Sequence, residues 1–267
     1  MFQGKMKAIT FSYDDGVTQD IRLAELFHKY GMKATFNLNY NKLGQVKTLA
    51  RENWSVNHSK NAPADVPHIY AGHEIAGHTL DHPRLPDIAD DAEVIRQVEE
   101  DRLRLSEIAG YEVIGFAYPC GGVNNDDRVA ELIRNNTGAR YCRTIKSNHS
   151  FDLQENLYRF NPTVYHYSEM DKMFELGEQF LALKADKPQI FYVWGHAYEF
   201  DINNNWDRFE EFLQMMSGKD DIFYGTNKEV LLYGSCYGKE TFRSANKLEN
   251  WSRFSVPLYR GHAPVFL

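Results

Sequence analysis

Two short segments of this chain bring together residue types that can hold a metal ion and move a proton beside it. Thr10-Phe11-Ser12-Tyr13-Asp14-Asp15-Gly16 is an apolar run ending in adjacent carboxylates, and Gly77-His78-Thr79-Leu80-Asp81-His82 sets two histidines with three residues between them. Imidazoles at that spacing can face one ion, and a carboxylate as third ligand leaves positions open for water and substrate. That is the donor set of a catalytic site rather than a closed structural one. With two carboxylates side by side, one can bind metal while its neighbour handles a proton.

Elements must carry these groups. Strand-like and helix-like stretches alternate along the chain, which predicts an α/β architecture with parallel strands. Strands are expected at 8–13, 33–38, 74–79, 113–118, 139–144, 188–194 and 222–226. The apolar positions Ile21, Leu23, Ala24, Leu26 and Phe27 predict a helix over 21–30, stopped by Gly31. Further helices are expected at 90–109, 126–136 and 206–216. The polar stretch 41–64 reads as a connection or pocket rim with a short helix before Trp54. Successive βα units over this length point to a barrel, whose site lies at the C-terminal strand ends. Asp14, Asp15, His78, Tyr118 and His196 all fall at or just beyond such ends.

With both segments in this order, the chain resembles the polysaccharide deacetylase superfamily, the NodB-homology domain also called carbohydrate esterase family 4. Its first motif, a strand ending in Asp-Asp-Gly, is matched by Tyr13-Asp14-Asp15-Gly16, and its His-[Ser/Thr]-x-x-His motif by His78 to His82. The resemblance implies a distorted (β/α) barrel with a catalytic domain over 7–233, followed by a 234–267 tail for which there is no functional account. It implies that Asp15, His78 and His82 bind a divalent metal, zinc first with Co, Ni or Fe as alternatives, and that Asp14 is the general base. Thr79 would steady the histidine loop, Glu74 or Asp81 could orient an imidazole, and His73 is structural.

Three further segments extend the resemblance and depart from it. Phe116-Ala117-Tyr118-Pro119-Cys120-Gly121 stands where the family has Arg-x-Pro-[Tyr/Phe]-Gly. A rigid turn here would aim the Tyr118 backbone N–H at an oxyanion. Ala117 replaces the Arg that would hold the catalytic Asp, and Cys120 replaces the aromatic residue. Arg159 is expected to supply the missing cation, with Arg143 as second choice. Phe191-Tyr192-Val193-Trp194-Gly195-His196 resembles the family's Leu-x-His motif. There His196 would be the general acid, oriented by Glu199 or Asp201, and Trp194 would widen the apolar wall beside the acyl group. The family's Asp-x-x-Asp-Trp motif has no match.

Composition sets the remaining bounds. At 267 residues and 43% hydrophobic content the chain can bury one substantial core, and a formal charge of −7 without a Lys/Arg cluster speaks against nucleic acid as partner. Sixteen Tyr and four Trp would suit stacking on sugar faces, although rings serve cores equally well. Cys120, Cys142 and Cys236 have neither disulfide-framework nor zinc-site spacing, and with no apolar leader or membrane span a cytoplasmic location is expected. The leading expectation is therefore a metal-dependent deacetylase acting on an N-acetylated amino sugar or oligosaccharide. An O-acetyl esterase, a cyclic amide or imide hydrolase, and a catalytically silent carbohydrate-binding protein are the alternatives. The oligomeric state is left open.

Overall fold

The computed structural model describes residues 1–234, so from 235 onward the tail expected at 234–267 lies outside the described residues. Ten strands are formed among the described residues: β1 (Lys7–Asp14), β2 (Ala34–Leu38), β3 (Thr48–Arg51), β4 (Trp54–Asn57), β5 (Glu74–Gly77), β6 (Gly115–Ala117), β7 (Tyr141–Arg143), β8 (Val164–Tyr165), β9 (Gln189–Gly195) and β10 (Ile222–Tyr224). The helices are α1 (Asp20–Lys29), α2 (Val66–Ile69), α3 (Asp91–Ala109), α4 (Asp127–Asn136), α5 (Met170–Ala182), α6 (Tyr198–Asn203), α7 (Trp206–Met216) and α8 (Asn227–Gly234).

Eight strands form one parallel sheet in the order β7-β6-β5-β2-β1-β9-β8, with β10 pairing the start of β1. Every residue of β1 is buried, as expected for a central parallel strand covered on both faces. Helices pack around the curled sheet, giving the distorted (β/α) barrel that the alternating pattern predicts. The path ends on β7 and β8, and a single isolated bridge, Arg143 with Phe160, joins the β7 edge to the segment leading into β8.

Side chains between sheet and helices fix this arrangement. Phe11 of β1 packs on Phe27 of α1 with ring centroids 4.8 Å apart and meets Phe209 of α7 edge-on. Truncating such a fully buried ring to Ala costs about 3–5 kcal/mol. The long α3 begins where Asp90 accepts the Ala92 N–H and ends at Gly110 in the left-handed conformation, so its register on the sheet is set at both ends. α4 is capped likewise by Asp126, which accepts the Val129 N–H.

The expected elements at 41–64 need correction. Among the described residues the only short helix here is a 3-10 turn at Tyr40–Lys42, and the residues directly before Trp54 are extended: β3 and β4 form an antiparallel hairpin with Arg51 opposite Trp54. Apolar and polar side chains alternate at Trp54, Ser55, Val56 and Asn57, a strand period that the polar surroundings obscure. The helices α2, α5, α6 and α8 were not anticipated either, nor was the two-residue β8, which is too short to leave a pattern.

Candidate active site

β1 delivers the two carboxylates to the barrel's C-terminal end, and the turn that follows separates them. Asp14 is the last residue of β1, while Asp15 has φ 85° and donates its N–H to the Asn37 carbonyl of β2. Gly16 follows with φ 64°, and a Cβ there would come within 2.8 Å of Leu38 Cδ2, so the turn needs glycine on both counts. Thr79, His82 and Cys120 also have positive φ. Each such non-glycine residue costs about 1–3 kcal/mol, and their clustering around one pocket is the pattern of a strained functional site.

Asp15, His78 and His82 offer ligand atoms that all lie within 4.8 Å of one another. His78 donates Nδ1–H to the Ala117 carbonyl at 2.8 Å, which leaves Nε2 as a lone-pair donor for an ion. Burial holds His78 down to about 4 and also lowers His82, so both rings are neutral, the form that binds metal. The His82 loop is steadied as expected, with the His82 N–H donating to Thr79 Oγ1 at 3.1 Å. One carboxylate and two imidazoles with free nitrogens fit a divalent cation.

Two neighbours of this set were not anticipated. His58 Nε2 lies 3.1 Å from Asp15 Oδ2, and Lys60 Nζ lies 3.5 Å from Asp15 Oδ1. Burial works against the Asp15 charge, yet Lys60 and the His58 hydrogen bond hold its carboxyl well below the usual range. Both residues follow β4, so their place at the site depends on the hairpin, and that is why sequence spacing gave no sign of them.

Asp14 has a different environment. Arg143 Nη2 donates to Asp14 Oδ1 at 2.6 Å and Oδ2 at 2.5 Å, and His78 Nε2 and His196 Nε2 stand 3.9 and 4.0 Å from Oδ2. Asn37 Nδ2 donates to Oδ1 at 2.7 Å. Although burial opposes ionisation, Arg143, His78 and His196 lower the Asp14 pKa. The cation expected from Arg159 thus comes from Arg143. Arg159 instead bonds Asn125 at 2.8 Å and pairs with Asp127 at 2.5 Å, because the turn over Leu157–Arg159 turns it toward the start of α4.

Trp194 also differs from expectation. It is buried, stacks on Tyr165 at 4.2 Å and lies under the Arg143 guanidinium at 4.5 Å, so it supports the cation instead of lining the acyl pocket. Tyr118 needs correction too. Its N–H donates to the Arg143 carbonyl at 3.0 Å and is therefore taken by the sheet. Pro119 has no N–H, so the first such group beyond that bond belongs to Cys120.

β9 ends at Gly195, and His196 follows. Glu199 of α6 accepts from the His196 backbone N–H at 2.9 Å and from its Nδ1 at 3.0 Å, so Nε2 is left facing Asp14. Burial alone would lower His196; Glu199, Asp14 and Asp15 together raise it to about 9. Glu199 also accepts from His166 Nε2 at 3.0 Å and from the Tyr165 hydroxyl. Of the two expected orienters it is therefore Glu199 that acts, while Asp201 bonds Trp206 and Gln19. Neither Glu74 nor Asp81 touches an imidazole: Glu74 accepts from Thr35 and Tyr141, and Asp81 from Gln97 and Asn41. His73 is structural, with Nδ1 accepting the Ala34 N–H at 3.2 Å.

Comparison with known proteins gives the family and the fold. A family model described as polysaccharide deacetylase matches residues 3–141. No curated protein matches. Among solved structures, a putative polysaccharide deacetylase from Mycobacterium smegmatis is similar with a TM-score of 0.60 and 17% identity, covering 86% of this chain and 91% of that one. The chitin deacetylase of Colletotrichum lindemuthianum gives 0.53 and 17%, covering 85% and 88%. A family 4 pseudoenzyme from Bacillus anthracis gives 0.50 and 16%, where this chain spans 85% of its own length and 66% of the other. At these identities the likeness is one of fold.

Proposed function

The chain belongs to the polysaccharide deacetylase family, and on that premise we propose that it is a metal-dependent hydrolase that removes N-acetyl groups from an amino sugar or oligosaccharide. The observation that carries this reading is the division between adjacent carboxylates. Asp15 shares a donor set with His78 and His82, while Asp14 lies between Arg143 and His196.

Asp15, His78 and His82 would hold the divalent cation, zinc being the first candidate. When bound, such an ion lowers the pKa of a water molecule and polarises an acyl carbonyl. Asp14, kept anionic by Arg143, accepts the proton of the attacking water. The Cys120 N–H takes the oxyanion role expected of Tyr118. His196 then delivers its Nε2 proton to the leaving nitrogen, with Glu199 holding the ring in place through Nδ1.

That this acid is held protonated favours amide over ester chemistry. An amine is a poor leaving group unless protonated, and a histidine raised to about 9 is charged at neutral pH. An O-acetyl ester has less need of such a donor. A silent binding protein would have no use for an aligned base and acid.

Acetate release from N-acetylglucosamine oligomers, acetylated xylan and an aryl acetate tests the reading, using metal-loaded and chelator-stripped protein. Metal-dependent release, greatest from the N-acetyl substrates, is expected. No release by protein with bound metal would overturn it.

A further inference from the structure

A cavity of about 430 Å³ opens on the Asp15 and His82 side of the site. Its walls include Lys42, Lys47 and Lys60 together with His58, Tyr198 and Asp81. That charge pattern runs against the chain as a whole, whose formal charge is −7. Cavities of this size take small ligands or one part of a larger one, and their few charged groups select what enters.

The lysines are placed by a stiff rim. The 44–47 and 58–61 stretches pair through Gly44 N–H to Asn61 O, His58 N–H to Lys47 O and Lys60 N–H to Gln45 O. Lys60 also bridges to Val17, directly after the Asp15-Gly16 turn, so its backbone position is tied to the metal loop. Its side chain is only 6% exposed, with the ammonium 3.5 Å from Asp15 Oδ1. Lys42 and Lys47 make no ion pair among the described residues. Besides Asp15, Asp81 is the one carboxylate on the wall among the described residues, and it is already engaged by Gln97 at 3.0 Å and Asn41 at 3.0 Å.

A cation at Asp15, His78 and His82 would draw on the carboxylate that Lys60 now faces. A buried ammonium beside a divalent ion needs another anion, since an unpaired charge taken from water is costly. Two further ammonium groups stand at the same cavity, Lys42 acting on Asp81 at a distance and Lys47 in no ion pair among the described residues.

We propose that this cavity binds an anionic substituent, a carboxylate or a phosphate, carried by the acetylated sugar that the site deacetylates. The assignment rests on the deacetylase reading for its substrate but concerns a separate wall of the pocket. It places specificity in the hairpin rim and predicts that neutral sugars such as chitin fragments bind more weakly than anionic ones of the same size.

Isothermal titration of the metal-loaded full chain with glucosamine, glucosamine 6-phosphate and muramic acid separates the possibilities without turnover. At low salt at least one anionic sugar should bind roughly tenfold more tightly than glucosamine, with the advantage shrinking as ionic strength rises. The phosphate and carboxylate arms tell the two sources of charge apart. Lys47→Glu, on the exposed rim where folding is not at stake, should abolish the advantage, and Lys60→Met should do the same if it folds. Equal affinity for all three sugars, or an advantage untouched by Lys47→Glu, overturns the proposal. Anion preference in a protein that releases no acetate would sink the deacetylase reading and leave an anion-binding wall without an acetylated substrate; acetate release without anion preference would sink this assignment alone.

Discussion

Ala117 and Arg143 are register partners across the β6–β7 ladder, so the guanidinium that grips Asp14 enters from the strand next to the one on which the family motif would carry it. The small Ala117 leaves room for a long side chain from its neighbour, and Trp194 supplies the surface on which that side chain lies.

Arg143→Met should therefore both destabilise the fold and disable the base. Removing one partner of a buried ion pair costs about 3–5 kcal/mol, because the other charge is left stranded. Activity should fall and its acidic limb move to higher pH, as Asp14 loses the group that lowers its pKa. Ala117→Arg in an Arg143→Ala background is expected to restore part of the rate, since the two Cα positions face each other. Denaturant melts and pH–rate profiles of the three variants check this.

The pH profile should be broad. Asp14 is held below its ordinary range, so the acidic limb lies below about pH 4. His196 sets the alkaline limb at or below about 9, because a cation on Asp15 offsets part of the negative field that raises it. Glu199→Gln should bring that limb down. For stability the sign is fixed by the raised value: the His196 contribution is complete below the unfolded pKa near 6.5 and disappears as pH rises through about 9. An alkaline limb unmoved in Glu199→Gln would show that another group limits the rate.

Metal binding should be visible in stability as well as in activity. A ligand that binds only the folded state adds about 2.7 kcal/mol at one hundred times its Kd, so zinc should raise the melting temperature and a chelator reverse it. His82→Ala should lower metal stoichiometry measured by emission spectroscopy. Unchanged stoichiometry would remove His82 from the ligand set.

Gly195→Ala tests the packing behind the acid. A Cβ there would lie 2.4 Å from the His166 ring, which is itself hydrogen bonded to Glu199. Overpacking of this kind costs about 1–3 kcal/mol, and displacement of His166 should lower kcat through Glu199 more than it changes KM. Steady-state kinetics at two pH values would show it.

The parts of this site that were legible in the sequence are those whose residues lie close together along the chain. Asp14 with Asp15, and His78 with His82, could be placed because each pair sits at one strand end. Glu199 was legible as one of two orienters at three or five residues from His196. Arg143, named in the sequence only as second choice, and His58 and Lys60, not named at all, join the site through strand pairing across separations that no local pattern records. Arg159 was the more tempting cation because it stands near a strand, but a turn of three residues aims it elsewhere. β8 and the hairpin were lost for a related reason, since two-residue and four-residue strands offer too few alternations to be read.

Closure of the barrel at a single bridge gives it a seam, and Arg143 is one of the two residues stitched there. β1 and β9 are locked by a register of seven residue pairs, whereas the β7 side is held by Thr144 N–H to Phe160 O and Phe160 N–H to Cys142 O, both at 2.9 Å. Opening this seam would need no loss of the central sheet, yet it would release the residue that keeps the base ionised. Amide exchange at Phe160 and Thr144 should accordingly outpace exchange in β1, and activity should fade on warming before the fold does. The same place is where evolution could lengthen a loop and leave every strand of the central sheet in register.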